Sequence, residues 1–357
     1  MTLAIGSEQR PIGSALPAGR TCPGVGPAGP VAPALAALVV VAAALTGSLP
    51  AAAAPTGLAY VSSEKDNAIT LIDVRTHEVK GVIATCKRPR HMQMMPGGGR
   101  LLVVCSDSDR AEIIDLATRK SVDRIPLDEG PEVLDLSPDG RVIYVSNEDD
   151  AQMTMVDVAT KKPIRSVKTG PEPEGVKVSP DGKIVYVTSE VANMVHAIDT
   201  GSGEIIKNIP VANRPRRFLI SPDGGELWVS NELAGSVTII DRTSHAVKDE
   251  IRFEVRGFRS TDITPVGMVM TADGKTAWVG LGRANHVAAI DVATRKVRTL
   301  VLVGKRAWGL ALNRDESQLY VANGLSDDLT IVDTAAAKAL KSVKVGRVPH
   351  TVVIDDR

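Results

Sequence analysis

Aromatic side chains are scarce in this chain, at 3% or ten rings in 357 residues. A protein that holds single-stranded nucleic acid by stacking needs aromatic platforms in a basic groove, and ten rings do not furnish them. No sign of charge is in excess either, since 42 Lys+Arg balance 42 Asp+Glu. That balance gives an anionic membrane surface or nucleic acid no general attraction. Also missing are a GxSxG elbow, a Ser-His-Asp arrangement, a phosphate-cradling loop and any HxxxH, CxxC or HxH spacing. Nucleophile-elbow hydrolases, P-loop enzymes and sites with closely spaced metal ligands therefore have no motif here. Cysteine is limited to Cys22, Cys86 and Cys105.

What is present falls into two materials. Residues 1–30 are rich in Gly, Pro and Ala, and they lead into VAPALAALVVVAAALTG at 31–47 and SLPAAAA at 48–54. An apolar stretch of that length followed by small residues reads as a secretory signal, short for a membrane span. The expectation is a signal peptide over 1–54, cleaved near Ala54, and a single mature domain over 55–357. That domain would lie in the periplasm with no stable membrane span after processing. An uncleaved anchor is the alternative. Export would leave Cys86 and Cys105 in an oxidising compartment, where they are candidates for a disulfide.

The mature chain repeats. Strands ending in Asp recur at ITLID73, AEIID115, MTMVD157, VHAID199, VTIID241, VAAID291 and LTIVD333, 42 residues apart except for 50 before Asp291. Thirteen residues before each Asp stand Tyr60, Leu102, Tyr144, Tyr186, Trp228, Trp278 and Tyr320, so six of the ten aromatics hold one repeat position. Seven copies of a period near 40–50 residues, each with several short strands, predict a seven-bladed β-propeller. Its blades have four antiparallel strands. In the third unit these are 175–178, 183–189, 194–199 and 204–211. The first is turned into the second by SPDG, whose Pro and Gly suit a tight turn. Each repeated Asp reads as a hairpin peg that accepts the backbone N–H groups ahead of it, not as a catalytic group. The C-terminal strand 351–355 has no unit of its own and is expected to close the ring in the N-terminal blade.

Two sets of loops gather at one mouth of the central channel in such a ring. They would bring together Arg90, His91, Glu132, Glu174, Arg216, Arg217, Trp308 and His350, a basic arc beside an acidic arc suited to a small polar ligand or a protein partner. The second loop set adds Glu64, Asp107, Glu148, Glu190 and Glu232. No metal is assigned to His91 and His350. Met92 and Met94 share one strand face and Met95 takes the other, which is ordinary packing. Pairing around PGGG (96–99) places Cys105 opposite His91. The eight extra residues of the fifth unit fall in 252–265, where Arg252, Phe253, Arg256, Phe258 and Arg259 form a candidate docking loop, because Arg and aromatic residues dominate interface hot spots; a plain insertion with its Phe residues tucked down is the equal alternative.

YVSN, YVAN and WVSN, each followed by a strand ending in Asp, resemble the YVTN-type β-propellers over the whole mature chain. Residues 85–109 resemble more narrowly the exported propellers associated with pyrroloquinoline quinone (PQQ)-dependent catabolism, with PGGG departing from the usual SPDG. The G-H and W-D marks of WD40 repeats are absent. The resemblance implies a periplasmic PQQ-linked alcohol or amine oxidation pathway, and the charged mouth with the long loop points to a non-enzymatic binding component of it. Its partner would be a quinoprotein dehydrogenase, a cytochrome or a transporter component, with PQQ on that partner and no cofactor in this chain. A lactonase-like hydrolase working at the channel mouth is the alternative, and behind it stands a single-stranded nucleic-acid binder, which is short of aromatic platforms.

Overall fold

The structure, a computed structural model, describes residues 53–356 together with Gly24, Gly26 and Gly29. Apart from those three glycines, Ala53 and Ala54, the expected signal segment lies outside the described residues. No helix among the described residues is long and apolar enough to cross a membrane.

The strands form seven four-stranded antiparallel sheets, the blades of a β-propeller. Blade 1 is closed by the C-terminal strand Pro349–Asp355, which pairs with Leu58–Ser63 and lies innermost. Blades 2 to 7 begin with inner strands at Pro89, Pro131, Pro173, Pro215, Met268 and Ala307. We name the four strands of each blade A to D from the channel outward.

The burial pattern follows from how the blades stack. Strands B and C are covered on both faces by neighbouring blades, so LAYVSS (Leu58–Ser63) is buried throughout. Continuous Val, Ile and Ala suit such a position. The repeated aromatics sit wholly inside, from Tyr60 to Tyr320. Strand D is outermost and mostly exposed, with one inward anchor per blade: Ile83, Ile125, Val167, Ile209, Ile251, Val301 and Val343.

The pegs act as the sequence suggests. Asp73, Asp115, Asp157, Asp199, Asp241 and Asp291 each accept the N–H of the Thr or Ser three residues on, and Asp333 accepts that of Ala336. In the SPDG turns Ser137, Ser179 and Ser221 each donate to the turn Asp. In the NRDE copy Glu316 adopts the positive φ that Gly takes elsewhere.

Two details differ from expectation. Cys105 faces Pro89, not His91, because the pairing shifts between Pro89 and Met92. The strand A side gains one residue there, a β-bulge. Cys86 and Cys105 are joined in a disulfide with Cα atoms 5.8 Å apart. In the long loop, Phe253 is not displayed for docking. It is buried with Ile251, Val255 and Ile263 between blades 5 and 6. Phe258 stays half-exposed, edge-on to His286. Arg252 and Arg256 are exposed, and Arg259 is tied to Asp262 at 2.9 Å.

Candidate active site at the channel mouth

The bulge seen in blade 2 recurs at the start of strand A in blades 1, 3, 4, 5 and 7. It covers the same two residues each time: Arg90–His91, Glu132–Val133, Glu174–Gly175, Arg216–Arg217, Trp308–Gly309 and His350–Thr351. An extra residue re-aims the side chains beside it. The first of each pair turns to the mouth, where Arg90, Glu174, Arg216, Trp308 and His350 line a cavity of about 310 Å³. The second turns down the channel, so His91 and Arg217 line a separate cavity of about 200 Å³ beneath. The expected mouth set is thus divided between two levels.

Its charges are also not laid out as two arcs. Arg90 contacts Glu132 and lies 3.8 Å from Glu174 and 3.9 Å from Glu64. Arg216 contacts Glu190 and lies 3.6 Å from both Glu174 and Glu232. Arg217 donates to Glu174 at 3.0 Å and to His350 Nε2 at 3.1 Å. Arg90, Glu132, Glu174, Glu190, Arg216 and His350 are all buried. They form one interlocked layer across the mouth, since buried charge is tolerated when it is paired. Around it, Arg88 bridges Glu64 (3.2 Å) and Asp107 (3.6 Å), and Arg214 bridges Glu190 (2.8 Å) and Glu232 (3.1 Å).

This layer separates the protonation levels of its carboxyls. Burial, with the adjacent Glu174 charge, outweighs Arg90 and raises Glu132 to about 9. Burial alone would also raise Glu174, but Arg216, Arg217 and Arg90 together hold it down at about 2. Burial raises Glu190 to about 7 against the pull of Arg216. Near neutral pH the network therefore holds a protonated acid, an ionised carboxylate and a carboxyl poised between the two. Burial and the nearby Arg217 keep His91 neutral, with its pKa at about 3, and burial and Arg90 likewise push His350 well down. Among the described residues, Glu132, Glu148 and Glu174 could bring ligand atoms within 4.8 Å of one another for a cation. Arg216 and Arg217 already neutralise the ionised Glu174, and Glu132 holds its proton beside Arg90.

Arg88, Arg214 and Arg306 were not foreseen as mouth residues. They stand 28 residues after Tyr60, Tyr186 and Trp278, directly before strand A, so the repeat carried the signal.

A family model described as lactonase, seven-bladed β-propeller, matches residues 117–248. No curated protein matches the chain. Among solved structures, the periplasmic gluconolactonase PpgL of Pseudomonas aeruginosa is similar at 20% identity and a TM-score of 0.72, with 84% of this chain and 98% of that one covered. Hydrazine synthase of Kuenenia stuttgartiensis matches at 23% identity and a TM-score of 0.70, over 78% of this chain and 93% of that one. A protein of unknown function from Desulfotomaculum acetoxidans matches at 16% identity and a TM-score of 0.71, over 84% and 99%. At these identities the likeness is one of fold. The lactonase family match overturns the expectation of a non-enzymatic component of a PQQ-linked pathway and favours the enzyme alternative.

Proposed function

We propose that the chain is a hydrolase of the lactonase type that opens a cyclic ester at the channel mouth. One observation carries this reading: Glu132, Glu174 and Glu190 lie in one arginine-linked network with protonation levels driven apart, two of them to about 9 and about 2. Carboxyls separated by their surroundings supply an acid and a base within one site.

Water attacks the ester carbonyl and gives up a proton, the ring C–O bond breaks, and the freed alkoxide takes a proton to give a hydroxy acid. No redox partner is needed. Glu190, nearest neutrality, suits the proton-accepting role, and protonated Glu132 suits the donor. Arg216 lines the mouth cavity between Glu174 and Glu190 and is placed to stabilise the developing oxyanion. The family match supports the reaction class. The Cys86–Cys105 disulfide supports a periplasmic location.

The test is acid release from glucono-1,5-lactone by the purified protein in a pH-stat. Turnover above spontaneous opening is expected, with a loss of about a hundredfold or more in Glu132→Gln and Glu190→Gln. Wild-type protein that gives no rate above the blank, or variants as fast as the parent, would remove the reading.

A further inference from the structure

The seven repeats act as internal controls for one another at the mouth. Arg88, Arg214 and Arg306 occupy one repeat position, each just before strand A with φ of 55°, 59° and 61°. The backbone carbonyl at that position accepts the N–H of the residue four after the repeat aromatic. Glu232 donates in this way to Arg214 at 2.8 Å, and Gly324 to Arg306 at 2.9 Å. On the other side the Arg214 N–H donates to Asn193 Oδ1 and the Arg306 N–H to Asn285 Oδ1, both at 2.9 Å, so the flanking positions correspond from blade to blade. At Arg214 they hold Glu190 and Glu232, and both pair with its guanidinium. At Arg306 they hold Gly282 and Gly324.

Blade 7 thus keeps the arginine and omits both carboxylates that would answer it. Arg306 makes no ion pair among the described residues. Its guanidinium lies 4.4 Å from the centre of the Trp308 ring and lines the mouth cavity. Burial lowers its pKa, the nearby Glu232 charge works against that, and the cationic neighbours Arg216 and Arg283 add to the lowering. A half-buried cation without its two customary partners, with room for a side chain on the Gly324 side, is open to an anion from outside.

We propose that Arg306, seated over Trp308, binds a carboxylate group of the ligand that enters the mouth cavity. That carboxylate takes the place Glu232 holds at Arg214. The class is set by the ring itself, because the equivalent arginines are answered by carboxylates and a guanidinium fork takes one in two-pronged fashion. The inference stands on repeat positions and not on lactone opening, so it is tested by binding alone.

The experiment is titration calorimetry of the full-length protein with sodium gluconate, using glucose as the uncharged counterpart and inorganic phosphate as a second anion. Two variants are used. Arg306→Gln removes the cation. Gly324→Glu restores an in-chain carboxylate where a side chain fits, since a Cβ there meets only Pro349 O at 3.6 Å and Arg306 O at 3.8 Å. Gluconate is expected to bind the wild type and glucose not to. Both variants should bind about ten- to a hundredfold more weakly, the weight of a charge-assisted pair. Thermal melts of the two variants should match the parent. No gluconate binding to the wild type, undiminished binding in either variant, or tighter binding of phosphate than of gluconate would each overturn the assignment.

Discussion

At the scale of single residues, the buried carboxyls of the mouth couple the fold to pH. Glu132 has a usual value of 4.5 and is raised to about 9 when folded, so between those limits the folded chain holds a proton that the unfolded chain has lost. Its contribution to stability is complete below about 4.5 and is lost as pH rises towards 9. Glu190, raised to about 7, acts in the same direction over a narrower window. Glu174, lowered to about 2, acts oppositely, and its contribution is lost as pH falls from about 4.5 to about 2. The melting temperature should therefore peak in mildly acid solution and decline towards pH 9. Glu132→Gln keeps a neutral hydrogen-bonding group and should flatten the alkaline decline while leaving the acid limb intact. Thermal unfolding of both proteins from pH 3 to 9 checks this, and an unchanged alkaline limb would show that Glu132 is ionised in the fold.

At the scale of elements, the bulged start of strand A decides where the site residues point. The proline-led openings of these strands, the SPDG turns and the Asp pegs are chemically local and could be read from the sequence. The bulge could not, because it depends on strand A spending one more residue than strand B in the pairing between Pro89 and Met92 and in the equivalent stretches. Hence Arg90 and Arg216 line the mouth cavity, whereas His91 and Arg217 line the cavity beneath it. Phe253 is another instructive case. Ile251, Phe253 and Val255 alternate with period 2 and continue the buried face of strand D, a pattern that argues for packing over display. The bulged segments also approach one another closely. A Cβ at Gly175 would overlap the carbonyl oxygen of Arg216 in the next blade, and Gly309 meets His350 in the same way. Gly175→Ala should force those strands apart and cost about 1–3 kcal/mol, with lactone turnover falling as Glu174 and Arg216 separate. Urea unfolding alongside the pH-stat assay measures both, and a variant as stable as the parent would show that the ring relaxes freely there.

At the scale of the whole molecule, each blade buries its faces only against its neighbours, so the ring depends on the join between its ends. That join is one strand and a few bonds. Pro349–Asp355 supplies the inner strand of blade 1, and Thr56 donates to the Asp355 carboxylate through both its N–H (2.9 Å) and its hydroxyl (2.8 Å). The same strand brings His350 to Arg217 across the channel, so closure and the site share one element. Ending the chain after Arg347 would leave blade 1 with three strands, expose the paired edge of Leu58–Ser63 and remove His350 from the mouth. A bare, largely apolar edge is a template for association. The shortened protein should therefore self-associate and lose its single cooperative transition, and adding back a synthetic Val348–Arg357 peptide should restore both the monomer and the sharp melt. Light scattering and calorimetry decide the matter. A shortened chain that stays monomeric with an unchanged melt would mean that the blade contacts alone hold the ring, and that the C-terminal strand serves chiefly to deliver His350 to the mouth.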